Sequence, residues 1–361
     1  MRDYKSVIIT PPYKQIYIAL ADRCRNGNIE IGWLDLLRAF TCVIVVVCHT
    51  KGWLMSSEVN PIWAFLLSII ENVNVFFIIS GALLLPIAEG GNWMFFKRRL
   101  IRLTGPFLLY SLGYFFIQHI YGVTDMSELS FELKWFWVDR LIGEHWFIFV
   151  LTGVYLMMPF MSPWLRTASK RQVEIFLLMW LAAMCLPFIN IKAGVLAHNN
   201  SFEMTFLGSF YNYFGFAVAG YYIVRWPVRE WGKVMKWWVF AFCSVLTFII
   251  MPYFYFHFES WQSRLIPFQD LTITVVAKTF LIFVLFSSMT SISGWLSVVA
   301  GCVSKYSYSI YLCHPIFYKL VVPLSLPSVV DTPWSFPIVF AATFLTVWIL
   351  SKTPVVGKYL I

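Results

Sequence analysis

Residues 33–49 read WLDLLRAFTCVIVVVCH, an apolar segment that begins with an acid and a base and ends with a histidine. A bilayer core offers the backbone no hydrogen-bonding partner, so an apolar run of this length in a membrane is predicted to be helical. At 100° per residue, His49 projects about 20° from Arg38, with Asp35 and Cys42 on the same face. One stripe of this helix therefore carries the segment's ionisable groups.

The length of this stripe suggests a path through half a membrane. Arg38 and His49 are eleven residues apart, which corresponds to about 16 Å along a helix axis, roughly half of a hydrocarbon core. Ionisable side chains within membrane spans usually face a cavity, a partner or a substrate path. We therefore expect polar surroundings along this face.

The composition of the whole chain indicates an integral membrane protein. Of its 361 residues, 60% are hydrophobic and only 12% are charged, against about 45–50% and 25% in soluble domains. We predict an all-α, polytopic helical bundle over residues 33–351. An N-terminal cytoplasmic segment, 1–32, precedes it and lacks the apolar core of a secretory signal, and a short cytoplasmic tail, 352–361, follows.

Charge and cysteine content argue against two other classes of protein. The net charge is +9, but the basic residues punctuate apolar blocks instead of forming one face, which disfavours nucleic acid as a partner. The seven cysteines show no paired spacing typical of a zinc or redox site. We expect no metal cofactor.

Hydropathy predicts ten membrane spans, an even number that places both termini on one side. They lie near residues 33–54, 62–85, 103–121, 145–163, 173–190, 205–224, 237–257, 271–292, 306–326 and 336–351. The connections on the side of the termini hold 19 of the 27 Lys and Arg residues. The positive-inside rule makes this side cytoplasmic.

Three features of the sequence do not fit a simple series of straight spans. Pro252 and Lys278 fall within the seventh and eighth spans, where a kinked helix or a wet cavity would accommodate them. Residues 294–303 form a short apolar stretch that suggests a separate interfacial helix on the cytoplasmic side.

Two further clusters could carry chemistry. Arg99 and Arg102 lie one turn apart at the cytoplasmic end of the third span, a spacing that suits phosphate groups. Ser307, Tyr311 and His314 share a face of the ninth span, and Pro315 withdraws a backbone amide beside the histidine. Ordinary topology-setting charge and interhelical hydrogen bonding are the simpler explanations of these clusters.

Taken together, these stretches resemble the membrane acyltransferase-3 family, bacterial enzymes that move acyl groups onto cell-envelope sugars. The matching pieces follow the family's order and are Asp35 to Arg38 with His49, Phe76 to Gly81 including Ser80, Arg99 with Arg102, Trp146-Phe147 with Tyr155, Leu156 and Pro159, and Tyr308 to Pro315. The family's ten-helix arrangement agrees with the predicted number of spans.

The resemblance implies a fold, a location and a reaction. The protein would lie in the bacterial inner membrane and use cytoplasmic acyl-CoA, usually acetyl-CoA, as the donor. His49 would be essential to transfer, with Arg99 and Arg102 near the CoA phosphates and Arg38 beside them. The acceptor would be an envelope glycan or a polyprenyl-linked sugar.

The pattern leaves several roles open. His49 either deprotonates the acceptor hydroxyl or becomes acylated itself. Asp35 is predicted to orient Arg38, and Glu71, a buried acid in the second span, to pair with His49. The family commonly has a histidine where Glu144 stands, so His145, which directly precedes Trp146, carries less weight.

A transporter or flippase for an acyl group or glycolipid intermediate is the competing hypothesis, with Arg38 and His49 lining its path. Many transporters are built from internal repeats, and we detect none in this sequence. The Arg99 and Arg102 pair also favours the enzyme. The sequence does not indicate an oligomeric state.

Overall fold

The computed structural model describes residues 32–50, 61–87, 92–122, 145–190, 207–258, 266–289, 294–330, 332–354 and 357. Within these ranges 85% of the residues are helical and none lies in a β-strand, which confirms the all-α class. The helices, in chain order, are α1 Gly32–His49, α2 Pro61–Ile70, α3 Val75–Leu84, α4 Asn92–Ile120, α5 Trp146–Thr167, α6 Lys170–Ala183, α7 Leu186–Asn190, α8 Phe214–Arg225, α9 Lys233–Val245, α10 Met251–His257, α11 Ile273–Ser287, α12 Gly294–Ile316, α13 Val322–Ser325 and α14 Ser335–Ser351.

Five helical segments of the described chain are long and apolar enough to cross a membrane. They are Gly32–His49, Trp93–Ile120, Trp146–Thr167, Lys170–Phe188 and Lys233–His257. Shorter apolar helices occupy Val75–Leu84, Ile273–Ser287 and Ser335–Ser351. Every predicted block thus contains a helix, while the number of ten spans and the orientation of the termini stay predictions.

The second predicted span is interrupted at residues 71–74, between α2 and α3. The Asn72 side chain exchanges hydrogen bonds with the Thr279 hydroxyl of α11. Lys278 donates to the carbonyl oxygens of Ser68, at 3.0 Å, and Glu71, at 2.6 Å. Carbonyls released by a helix break need new partners, so the buried Lys278 ammonium stabilises the interruption.

The seventh predicted span is continuous but changes its helical geometry. A π-helical turn over Leu246–Ile250 joins α9 to α10, directly before Pro252. Because proline has no amide to donate and crowds the preceding turn, a local change in helical geometry is the expected accommodation. The segment therefore accommodates Pro252 by a π-helical turn within a continuous helix.

The predicted interfacial helix at residues 294–303 is wrong. These residues form the first part of α12, which runs unbroken from Gly294 to Ile316. No proline occurs in this stretch before Pro315, so nothing in the sequence ends the helix between its amphipathic first turns and its buried second half.

Two helix pairs make the most extensive interfaces, α1 with α12 and α3 with α8. The second pair packs backbone against backbone. A Cβ added to Gly81 would lie 1.8 Å from the carbonyl oxygen of Ala217, and one added to Gly220 would lie 2.1 Å from that of Ile78. Small residues permit this close approach, which explains the glycine that ends the Phe76 to Gly81 motif.

Candidate active site

A cavity of about 220 Å³ lies among α1, α3, α4, α5 and α12. Four cationic side chains line it: Arg38, Arg99, Arg102 and Lys305. Its other polar lining residues are Ser80, Tyr155, Ser307, Tyr308 and Tyr311. The cavity therefore unites residues from all five of the separate sequence motifs.

Arg38 is held at the cavity by residues of α1 and α12. Its guanidinium lies 3.9 Å from the Asp35 carboxylate, and the same carboxylate accepts a 2.7 Å hydrogen bond from the Ser304 hydroxyl. Asp35 precedes His49 by fourteen residues, about 21 Å along the helix. Its place is thus beside Arg38, as predicted, and at the opposite end of α1 from the imidazole.

Arg99 lies beside a pair of aromatic rings, Phe95 and Tyr155, whose centroids are 6.2 Å apart. Its guanidinium carbon is 6.0 Å from the ring centroids of both Phe95 and Tyr155, within the range of cation–π attraction. The Tyr155 hydroxyl is 3.3 Å from that of Ser80. These contacts link Ser80 on α3 to the Arg99 side chain on α4.

Lys305 is the charged cavity residue to which the sequence analysis gave no role. It stands at the start of the stretch that leads into the Tyr308 to Pro315 motif and was counted among the topology-setting basic residues, yet it lines the cavity with Ser307, Tyr308 and Tyr311 of the same helix. Its position just before the Tyr308 to Pro315 motif was the available signal. This signal was missed because residues 294–303 were interpreted as a separate interfacial helix, which left Lys305 in a connection outside the ninth span.

The two motif histidines form a pair across the α1 and α12 interface. The Nδ1 atom of His49 is 2.9 Å from Nε2 of His314, and the two ring planes are inclined by only 21°, with centroids 5.0 Å apart. The ring of Tyr318 is stacked near both, at 5.8 Å from His49 and 6.2 Å from His314. His314 is fully buried.

Tyr311 connects the cationic cavity to the histidine pair. It lines the cavity, and its ring centroid is 5.8 Å from that of His314. Its carbonyl oxygen is 2.7 Å from Nδ1 of His314. The predicted face of Ser307, Tyr311 and His314 thus runs from the cations to the imidazoles, parallel to the stripe on α1.

His145 lies where α4, α5 and α12 meet. Its Nε2 is 3.1 Å from the Leu312 carbonyl oxygen, its Nδ1 is 3.4 Å from the Ser111 hydroxyl, and its ring makes an edge contact with Phe107. With no exposed surface, this histidine has contacts that suit a structural role.

Glu71 lies in the break between α2 and α3, where its carbonyl accepts from Lys278. Burial raises the pKa of nearby Asp270, in the turn before α11, to about 6, opposed by Lys278 and reinforced by Glu71. The structure thus places Glu71 in a charged group with Lys278 and Asp270, whereas the imidazole partner it gives His49 is His314.

Among the residues that the structure describes, no group of three or more His, Cys, Asp or Glu side chains could hold a metal ion. The donor set at the candidate site is instead a pair of imidazoles and a group of guanidinium and ammonium ions.

The described structure combines apolar, membrane-length helices with a cationic cavity and a histidine pair in which His314 is fully buried and His49 half-buried, an arrangement that suits a membrane enzyme. A sequence model described as an acyltransferase domain matches residues 31–352, and the chain therefore belongs to the membrane acyltransferase-3 family. Searches of curated proteins and of solved structures gave no match.

Proposed function

We propose that the protein transfers an acyl group, usually acetyl, from cytoplasmic acyl-CoA to a hydroxyl of a lipid-linked or envelope polysaccharide in the bacterial inner membrane. The observation that carries the proposal is the arrangement of four cations around one cavity, connected by the Tyr311 face of α12 to the pair of His49 and His314.

The cavity chemistry suits the phosphate end of the donor. Three guanidinium groups and one ammonium group offer hydrogen-bond donors that suit a diphosphate and a 3′-phosphate; they belong to Arg38, Arg99, Arg102 and Lys305. A volume of about 220 Å³ is below the roughly 300–1,000 Å³ of pockets that enclose a whole drug-sized ligand. The cavity therefore suits one part of the molecule, with the acyl end directed toward the histidines.

His49 would perform the chemistry in one of two ways. As a base, its imidazole takes the proton of the acceptor hydroxyl while the oxygen attacks the thioester carbonyl. The new C–O bond forms, the C–S bond breaks, and the departing thiolate receives the proton from His49. As a nucleophile, the imidazole first attacks the thioester carbonyl, so that an acyl–histidine bond forms, the C–S bond breaks and the CoA thiolate leaves. The acceptor hydroxyl then attacks the acyl group, the C–N bond breaks, and the hydroxyl proton goes to the thiolate to give free CoA.

Transfer of radiolabel from acetyl-CoA to glycan of isolated membranes, by the purified full-length protein, tests the proposal. We expect transfer by the wild type and a loss of at least about 100-fold in His49→Ala, the usual scale of a lost acid–base group. His257→Ala is the matched control, because His257 is exposed and bonds only within its own helical turn among the contacts described.

Label transfer by His49→Ala at the wild-type rate would contradict the proposal, as would a wild type that moves unacetylated glycolipid without incorporating label. The second result would favour the transporter hypothesis. Label bound to the protein in the absence of acceptor, and lost in His49→Ala, would select the acyl-histidine route over direct transfer.

A further inference from the structure

Pro315 leaves one backbone carbonyl of α12 without its usual helical donor. In an α-helix the amide of residue 315 would donate to the carbonyl of Tyr311, four residues earlier, but proline has no amide hydrogen. The Nδ1 atom of His314 lies 2.7 Å from this same oxygen and 3.3 Å from the Ile310 carbonyl oxygen. The imidazole thus takes the place of the missing amide.

This contact determines which ring nitrogen of His314 carries the hydrogen in the neutral imidazole. A carbonyl oxygen only accepts, so the Nδ1 atom facing it at 2.7 Å must carry a hydrogen. His314 has no exposed surface, and burial of an unpaired charge is costly, which favours the neutral ring. In the neutral ring that is protonated on Nδ1, Nε2 carries the lone pair and can only accept.

The same reasoning then fixes the tautomer of His49. Its Nδ1 atom is 2.9 Å from Nε2 of His314, so the hydrogen of this bond belongs to His49. A neutral His49 that is protonated on Nδ1 carries its lone pair on Nε2. The order of donors therefore runs from His49 through His314 to the Tyr311 carbonyl.

We propose that Pro315 and His314 are positioning residues, which hold His49 in the tautomer whose Nε2 is the reactive atom. This inference rests on the proposed role of His49 in transfer. When Nε2 takes the hydroxyl proton, His49 becomes an imidazolium that keeps its Nδ1 hydrogen directed at His314. No proton moves to His314 in this scheme, and the carbonyl of Tyr311 only orients the second ring.

Nitrogen NMR of the full-length protein carrying ¹⁵N-labelled histidine tests the tautomer without any substrate. The signals are assigned by their loss in His49→Ala and His314→Ala. We expect both rings to be protonated on Nδ1 and unprotonated on Nε2. A His49 ring protonated on Nε2 in the wild type would overturn the proposal, whatever the enzymatic activity proves to be.

Kinetics of three variants test the positioning role. His314→Met removes the acceptor for His49 and should lower kcat by about 10³- to 10⁴-fold, the scale of a misassigned catalytic tautomer, with the donor KM unchanged. His314→Gln, which offers an amide oxygen near the position of Nε2, should restore most of this loss. Pro315→Ala restores the competing amide and should lower kcat about ten-fold, the scale of one weakened hydrogen bond.

Equal activity of His314→Met and His314→Gln would refute the positioning role, provided that both variants unfold at the wild-type temperature. If either variant is unstable, the wild-type tautomer still decides the proposal. A protein with the expected tautomer but no acyl transfer would contradict the proposed function and leave the tautomer assignment standing.

Discussion

At the scale of single residues, the four cavity cations come from three helices and share one task in the proposed function, the binding of the donor phosphates. Arg38 is fixed by Asp35, and Arg99 by two aromatic rings, so each loses little additional freedom when it binds an anion. Preorganised cationic donors bind phosphate more strongly than mobile ones. In the proposed function, the contacts of Arg38 and Arg99 thus hold the two guanidinium groups in place for the donor phosphates.

We expect Arg99→Ala to raise the acetyl-CoA KM about ten-fold and to change kcat much less, because it removes a charge-assisted hydrogen bond to the donor. Lys305→Ala should act in the same direction. Since both side chains are at least partly exposed, the wild-type KM should also rise with ionic strength. Initial-rate measurements over a series of acetyl-CoA and salt concentrations check both expectations.

Arg171→Ala serves as the control, since Arg171 is an exposed residue of α6, outside the cavity lining. A KM that changes equally in the control and in Arg99→Ala would mean that the effect is general surface charge and that the cavity is not the donor site.

At the scale of the helical elements, the sequence predicted which side chains share a face of one helix. It did not predict which side chains meet between two helices. The stripe of Asp35, Arg38 and His49 follows from helical periodicity, and so does the face of Ser307, Tyr311 and His314. The pairing of the two histidines requires the contact between α1 and α12, which no local pattern encodes.

The break at residues 71–74 was missed for the same reason. Glu71, Asn72 and Asn74 are polar residues in an otherwise apolar stretch, but the groups that stabilise the interruption, Lys278 and Thr279, lie more than 200 residues later. Lys278 was recognised as unusual within a span, but its partners only become visible in the tertiary structure. A buried polar side chain indicates that a polar partner is present, but the sequence does not show which residue that partner is.

The packing of α3 against α8 gives a prediction about stability. Gly81→Val should lower the unfolding temperature by many degrees or prevent folding, because its Cβ would lie 1.8 Å from the backbone of Ala217 and two main chains would have to separate. Thermal unfolding of the detergent-solubilised protein, followed by size-exclusion chromatography, measures the effect.

Gly153 provides the matched comparison, because it also lies within a helix, α5, and a Cβ added there meets nothing within 4 Å. Gly153→Ala should keep or slightly raise the unfolding temperature, since alanine favours helix by up to about 1 kcal/mol over glycine. Similar losses for Gly81→Ala and Gly153→Ala would show that close packing of α3 and α8 is not what the glycine provides.

At the scale of the whole molecule, large apolar side chains remain on the outside of the bundle. Trp93, Phe160, Leu178 and Phe248 are each at least 60% exposed, an arrangement that suits lipid as the solvent. The positive-inside rule predicts that the basic connections, and the cationic cavity with them, lie toward the cytoplasm.

Cysteine labelling at the two ends of α14 tests this orientation. In intact cells, on a Cys302→Ser background, a membrane-impermeant maleimide should label Trp334→Cys, at the start of the helix. Lys352→Cys, at its end, should react only after permeabilisation. Both native side chains are exposed, so access depends on the side of the membrane. The reverse pattern would overturn the predicted orientation.

The close packing of α3 on α8 and of α1 on α12 also determines the mechanical character of the cavity. The backbone-to-backbone packing of α3 on α8 leaves the wall that contains Ser80 no room for displacement, and the extensive interface of α1 with α12 holds the wall that contains Arg38. α4, which supplies Arg99 and Arg102, makes far fewer contacts with α5 and α12. Packing therefore restrains α4 less than it restrains α1, α3 and α12. We expect a molecule larger than the cavity to enter by outward displacement of α4, while the histidine pair keeps its geometry.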